Sequence, residues 1–526
     1  MEKQNELLFG KEMRNEMFVG INELSKAVGV TLGPNGKNVL INRKDKNSIP
    51  ILTKDGVTVA HNIFFDDYAK NCGSQLLKEA AGKTNKEVGD GTTSVVLLGN
   101  EMMNRGNEII DNITNVWDFV KGMEKAQQNI IDYINSNIKK DLKGIKEICD
   151  IAYVSSNRDK ELKKILQLIY SDMNRDVKLD VRISNVNKEL NYEKKNGYFI
   201  DKGYMSNYFI NDTKKERIVF EDCLVFLYDG KIKNVSELYK LIKIIDTEKK
   251  PLVIVTDKLE DDIISYLLTL SVNGLSMCVV KAPSYGVGRK ALMEDIAIST
   301  NGKLLSSELG HKPDQVIEEY LGKCSKVVIN NFGSLFISSK NNKERVEQRI
   351  DELKTIIKQK ENDFEREGLE MRISHLQGNV AVIYVSGESE FLIKQRRDRI
   401  EDAINAVSVA IKSGIVPGGG ITLYRAAKFV ELKTAGFSSD YIKGYNLVKE
   451  SSKIIFKKIM SSTGVDHEKT YKEISNKLSY GYDSYNCKII NMFNGGVIDP
   501  YKVIEVSLKN AINVSIAFLT CNCLIK

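Results

Sequence analysis

Apolar residues recur at helical spacing from about 8 to 30, through 95–105, over most of 106–180, and again from 414 onward. The middle of the chain changes rhythm. Between 196 and 378, short β-rich runs at 223–228, 252–256, 277–280 and 327–330 alternate with helical stretches, which is an α/β layer pattern. Short strand-like segments at 181–187 and 189–195 place a domain boundary there. Two of the intervening helices carry more apolar surface than one buried face requires. Leu238, Tyr239, Leu241, Ile242, Ile244 and Ile245 follow a capping-box pattern at Asn234–Glu237, and Ile263, Ile264, Tyr266, Leu267, Leu268 and Leu270 repeat the excess. A well-covered core and an exposed apolar binding patch both account for it. Val346, Ile350, Leu353 and Ile357 form a narrow seam within 340–376, the pattern of a helical hairpin, which Gly378 ends before a strand at 380–385. The helix expected over 390–413 buries Ile400, Ile404, Val407 and Ile411, leaving Glu401 and Asp402 off that face.

Three polar, glycine-containing loops interrupt the first hundred residues. The first, 31–37, follows the opening helix, and short strands at 38–42 and 49–53 lead to the second, where Asp55-Gly56 reads as a turn. The third is Val88-Gly89-Asp90-Gly91-Thr92-Thr93-Ser94, which feeds the apolar 95–105 helix. Thr92, Thr93 and Ser94 fall where a helix leaves backbone N–H groups unpaired, so the stretch suits either an ordinary cap or a phosphate. An aspartate beside a phosphate is tolerated when a hard cation lies between them, so Asp90 in the second reading implies Mg2+.

Composition narrows the field. At 526 residues, 42% hydrophobic and 28% charged, the chain is a multidomain globular protein with ample core. The 77 basic residues barely exceed the 70 acidic ones, and no basic block is interleaved with stacking aromatics, which argues against a dedicated nucleic-acid binder. Eight scattered cysteines without a Cys-x-x-Cys pair favour a reducing compartment, and the isolated histidines make a His-based metal or triad site a poor fit. The N-terminus has no apolar signal core, and the apolar stretch 263–280 is interrupted by Ser265, Thr269, Ser271, Asn273 and Ser276, so no membrane partner is expected. Two nucleotide fingerprints fail: Leu77 stands where a P-loop before Gly82-Lys83-Thr84 needs glycine, and Leu423 where a dinucleotide motif after Gly418 would.

The loops at 31–37, 52–59 and 88–94, followed far downstream by Arg399-Ile400-Glu401-Asp402-Ala403, Pro417-Gly418-Gly419-Gly420 and Tyr480-Gly481-Tyr482, resemble the group I chaperonins, the GroEL type, in order and spacing along essentially the whole chain. The resemblance implies a multidomain α/β and mostly α subunit: a discontinuous helical equatorial ATP-binding domain at 1–137 and 413–526, a small α/β intermediate hinge domain at 138–195 and 379–412, and an α/β apical substrate-binding domain at 196–378. It implies an ATPase that promotes protein folding, works as a sevenfold homo-oligomeric ring in the cytoplasm, and takes unfolded polypeptides and a co-chaperonin as partners. A ring-forming holdase or scaffold with little ATP coupling is the alternative.

Site roles follow from the same resemblance. Thr31, Leu32, Gly33 and Pro34 would line the nucleotide, Lys54 would contact phosphate, and Gly91, Thr92, Thr93 and Ser94 would cradle the phosphates of ATP. Asp90 would hold Mg2+, with K+ admitted as a further ion. Asp55 would lie near the terminal phosphate, and Asp402 would polarise the attacking water when its domain closes. Gly419, Asp483, Ser484, Val497 and Asp499 would surround ribose and adenine. Tyr204, Tyr208, Phe209, Tyr239, Ile242, Ile264, Leu268 and Thr269 would form the apical groove for clients. Pro417, Asp483, Tyr239 and Thr269 depart from the residues common in that family.

Overall fold

The computed structural model describes residues 7–42, 50–173, 177–183, 190–195, 197–213, 215–284, 286–331, 333–338, 343–359, 363–378, 380–387 and 389–525. Residue 49 of the expected 49–53 strand, residues 184–187 and 189 of the expected 181–187 and 189–195 segments, and residues 340–342 and 360–362 of the expected 340–376 hairpin lie outside them. The chain forms two compact units, one of residues 1–168, 183–190 and 385–526, the other of 169–182 and 191–384.

The first unit is built from long helices because its apolar residues repeat at helical spacing and its breaks fall at caps. Gly10–Gly29, Tyr68–Val88, Thr92–Ile109, Val116–Asn137, Ser439–Ser451 and Tyr501–Thr520 are its main helices. Met13, Ile21, Leu24, Leu77, Leu98, Met102, Phe119, Ile130, Leu508 and Phe518 interlock in one core. Tyr501–Thr520 is long and apolar enough to cross a membrane, yet most of it is buried in this core, with Val503, Val506, Leu508 and Ile512 among its buried residues. Leu7–Phe9 pairs antiparallel with Cys523–Ile525, so the two ends of the chain share one small sheet.

Several helices approach more closely than side chains allow. A Cβ on Gly122 would stand 2.0 Å from the Tyr441 carbonyl oxygen, and one on Gly444 would stand 2.0 Å from that of Phe119. Asp440 locks the same pair by accepting the Thr114 and Asn115 N–H groups, each at 2.9 Å.

The second unit is the α/β part. Its seven-stranded mixed sheet runs in the order Gly197–Ile200, Ser334–Ser338, Gly322–Ile329, Ile218–Ile232, Leu252–Leu259, Met277–Lys281, with Leu304–Ser306 paired to Ile218–Ile232 off that path. The continuous apolar runs sit in parallel-paired strands: Ile218–Ile232, Leu252–Leu259 and, at the edge of the sheet, Met277–Lys281 pair parallel and are largely buried. Val380–Val385 forms a strand as expected, in a three-stranded sheet between Lys178–Ile183 and Asn191–Lys195. The hairpin is also present, as helices Lys343–Lys358 and Asp363–Leu376.

Two local readings change. Asp55-Gly56 is no hairpin turn: Asp55 caps the helix Gly56–His61, accepting from the N–H of Val57 at 3.1 Å and of Thr58 at 2.9 Å. In the helix Glu390–Ser413, the buried face runs through Ile400, Ala403, Ala406, Val407 and Ala410, while Ile404 and Ile411 are half-buried. Small alanines, not the larger isoleucines, let this helix pack closely. Glu401 is consequently buried, 3.6 Å from Arg397, rather than solvated.

Candidate nucleotide site and apolar surface

Gly89 ends the helix Tyr68–Val88 in the left-handed region, and Gly91 repeats that conformation (φ 79°) before the helix Thr92–Ile109. Only glycine suits Gly91, since a Cβ would stand 2.6 Å from Ser507 Oγ and 2.7 Å from Val503 Cγ1. The helix begins without any side-chain cap, which removes the ordinary explanation for the Thr92-Thr93-Ser94 stretch. Its first N–H groups and the positive end of its dipole suit an anion. Thr31 meets this turn through a 3.0 Å contact between its hydroxyl and that of Thr93. Because Thr31 Oγ1 donates to Val28 O at 2.8 Å, the Thr93 hydroxyl is the donor between them.

Lys54 donates to Gly33 O at 3.1 Å and to Asn157 Oδ1 at 3.3 Å, which ties the 31–34 loop to the strand end. Burial, and then the nearby Arg399 guanidinium, lower its pKa. Leu32, Gly33 and Pro34 are half-buried beside it.

Three carboxylates converge on this loop. Burial raises the Asp90 pKa and the charge of Asp55 raises it further, against a 2.6 Å hydrogen bond from the Gly91 N–H. Burial and the charge of Asp90 push Asp499 up to about 7. Like charges held together in a desolvated cleft resist ionisation, and a bound cation relieves that cost. Among the described residues, no group of three or more His, Cys, Asp or Glu side chains could hold a metal ion by itself. Mg2+ does not need such a cage, because it keeps water and phosphate oxygens around one or two carboxylates. The residues present fit that ion.

The opposite wall is assembled by a sheet contact that sequence spacing does not show. Ile415–Pro417 pairs antiparallel with Ile498–Pro500, placing Val416 opposite Asp499, and the Gly418 N–H donates to Val497 O at 2.9 Å. Gly419 follows in the left-handed region, its absent Cβ 3.7 Å from Tyr482 O. A small cavity of ≈ 60 Å³ between Ser94, Gly420, Asp499, Val503 and Ser507 joins this wall to the Asp90 loop.

Asp483 and Ser484 are buried at the end of the hairpin strand Tyr480–Asp483. Asp483 differs from its expected role. Only 3% exposed, it accepts from Arg158 Nη2 at 2.8 Å, Asn486 Nδ2 at 2.6 Å and the Tyr485 N–H at 3.1 Å, so its oxygens are already engaged within the chain. Burial alone would raise its pKa, but the Asn486 bond, the Arg158 charge and the backbone donors outweigh it and hold the carboxyl below its usual range.

Asp402 is half-buried on the Glu390–Ser413 helix, and that helix lies against the Asp90 loop: a Cβ on Gly89 would stand 3.0 Å from the side chain of Asn405, one turn beyond Asp402. Arg396 holds the helix by donating to Asp159 at 3.0 Å and Glu161 at 2.7 Å. Asn157, Arg158 and Asn405 escaped the sequence reading because each is a lone polar residue whose partner is distant in sequence.

The apolar candidates lie in the second unit. Tyr208 is 81% exposed and Tyr239 59% exposed, while Tyr204, Ile242, Ile264 and Leu268 are half-buried. Thr269 is exposed and its hydroxyl donates to Ser265 O at 3.0 Å. Phe209 is the exception: at 4% exposed it belongs to the core beneath the helix Asp261–Val272 and offers no surface. The excess apolar residues therefore divide. Leu241, Ile245, Ile263 and Leu267 enter the core, and the stripe of Tyr208, Tyr239, Ile242, Ile264 and Leu268 stays partly open to solvent.

A helical unit made from both ends of the chain, an inserted α/β unit and a carboxylate-lined cradle between distant loops define a chaperonin subunit. The chain belongs to the TCP-1/cpn60 chaperonin family, whose model matches residues 24–526. Its fold is similar to that of the chaperonin gp146 from the bacteriophage EL 2 (Pseudomonas aeruginosa), solved in the presence of ATP-BeFx. Crystal form II gives a TM-score of 0.69 at 23% identity over 99% of this chain and 98% of that one. Crystal form I gives 0.63 at 22% identity over 99% of each.

Proposed function

We propose that this chaperonin is an ATP-driven folding machine of the group I type, in which the first unit binds and hydrolyses Mg-ATP and the open stripe of the second captures non-native polypeptide. The observation that carries the reading is the convergence of Asp55, Asp90 and Asp499 at an uncapped helix start. The N–H groups of Thr92, Thr93 and Ser94 and the Lys54 ammonium would bind phosphate, and Asp90 would hold Mg2+ with Asp55 close by. When bound, the ion neutralises phosphate charge and fixes the geometry of displacement. Asp402 would orient water from the helix that lies on the Gly89 turn. The ATP analogue named with the phage chaperonin supports this reading.

The family membership supports assembly into a ring, which we take to be sevenfold, with unfolded clients and a co-chaperonin as partners and the cytoplasm as its place. The three-domain division at 137/138, 195/196, 378/379 and 412/413 belongs to the same proposal, with K+ as an additional ion. Apolar contacts are non-directional, so the Tyr208, Tyr239, Ile242, Ile264 and Leu268 stripe would accept many clients.

Asp402→Ala tests the assignment. Turnover in a single-turnover ATP hydrolysis assay should fall roughly 100-fold or more, the usual contribution of a positioned acid-base group, while equilibrium ATP binding persists. Hydrolysis at the wild-type rate would remove Asp402 from the catalytic machinery, and absence of hydrolysis by the wild type would leave a passive holdase.

A further inference from the structure

The segment joining the helices Ile145–Ser155 and Lys160–Asp172 contains two consecutive non-glycine residues in the left-handed region, Asn157 (φ 59°) and Arg158 (φ 66°). Asparagine tolerates that conformation, but arginine rarely adopts it, so contacts elsewhere must offset the strain. Those contacts reach two separate walls of the candidate site. Asn157 Oδ1 accepts from Lys54, on the phosphate side, at 3.3 Å. Arg158 Nη2 donates to Asp483 Oδ1, on the hairpin side, at 2.8 Å, and its Cζ stands 4.1 Å from the ring centroid of Tyr485. The pair is largely withdrawn from water, with the Arg158 side chain 18% and the Asp483 side chain 4% exposed. The preceding helix packs along Ile498–Pro500, the strand that carries Asp499. The adjacent residues Asn157 and Arg158 thus reach Lys54 on one side and the Tyr480–Asn491 hairpin on the other, each through its polar side chain.

We propose that Arg158 is a positioning residue that clasps this segment across the nucleotide pocket through Asp483 and Tyr485, and thereby sets how long a nucleotide stays bound. The proposal rests on the nucleotide-binding reading above. It also explains why the acidic Asp483 stands in the wall: its charge is satisfied by Arg158, and a neutral side chain there would leave the guanidinium without its counter-charge. Opening the clasp costs the ion pair and the guanidinium–ring contact together. Losing both should speed release roughly 5- to 10-fold, given typical strengths of such contacts. Because the clasp obstructs departure and arrival alike, both rates should rise together.

The test is stopped-flow binding and release of a fluorescent N-methylanthraniloyl-ADP with the full chain, comparing wild type with Arg158→Met, Asp483→Asn and the double variant. Arg158→Met should accelerate release and association by similar factors, so that Kd changes less than either rate. The double variant should add little to the single ones, because the two residues act through one contact. Tyr485→Leu, which keeps the ion pair, should give a smaller acceleration. Hydrogen exchange of the amides at 154–159 in nucleotide-free protein reports whether the segment has been loosened. Faster exchange there with unchanged release in Arg158→Met would overturn the clasp while leaving nucleotide binding intact. Absence of binding by the wild type would instead overturn the nucleotide reading and the clasp with it.

Discussion

Asp499 shows how one residue's chemistry depends on what the fold places beside it. Its carboxyl, raised to about 7 by burial and by Asp90, is neutral in the folded protein at pH values where the unfolded chain would ionise it. Folding is therefore penalised as pH rises from about 4 towards 7, and the penalty is complete above the folded pKa. Asp499→Asn removes it. In metal- and nucleotide-free protein, its thermal midpoint should exceed that of the wild type by more at pH 8 than at pH 5.5. An equal difference at both values would show that Asp499 ionises normally in the cleft. Asp90 was legible in the sequence because two glycines and a helix start flank it. Asp499 was legible only as part of a family pattern, and its place beside Asp90 comes with the pairing of Ile498–Pro500 to Ile415–Pro417, in which Asp499 lies opposite Val416, 83 positions upstream. Asp483 reads differently again, because the guanidinium that occupies it comes from position 158.

Helices and strands followed the local pattern wherever burial and periodicity agreed. The opening helix, the α/β runs, the hairpin and the 380–385 strand stand close to where their spacing puts them. The Glu390–Ser413 helix did not follow its isoleucines, because close packing favoured the face with Ala403, Ala406 and Ala410. The helices Val116–Asn137 and Ser439–Ser451 show the same preference for small residues at contacts, with Gly122 and Gly444 each facing a carbonyl of the other helix. Gly444→Ala must separate them, so the thermal midpoint should fall. An overpacked contact of this kind costs about 1–3 kcal/mol, and an unchanged midpoint would show that the helices slide apart freely.

The whole molecule separates two kinds of chemistry into two units, each with its own core. The Asp90 loop with Asp55 and Asp499 lies in the first, and the partly open apolar stripe lies in the second. Tyr208→Glu puts a charge on the most exposed aromatic of that stripe without touching the core. Capture of a denatured, fluorescently labelled client should weaken roughly 10-fold, as expected for loss of an aromatic anchor, with basal ATP hydrolysis preserved. Capture equal to wild type would place the client surface elsewhere.

The sequence by itself determined the helical flanks, the α/β centre, the glycine-bounded Asp90 loop and the family, because these depend on local periodicity, turn chemistry and motif order. Tertiary structure decided which face of the Asp402 helix is buried, which apolar residues stay open, and which charges meet. Those outcomes depend on the packing of segments hundreds of residues apart, and the Arg158–Asp483 pair, separated by 325 positions, leaves no trace in local spacing.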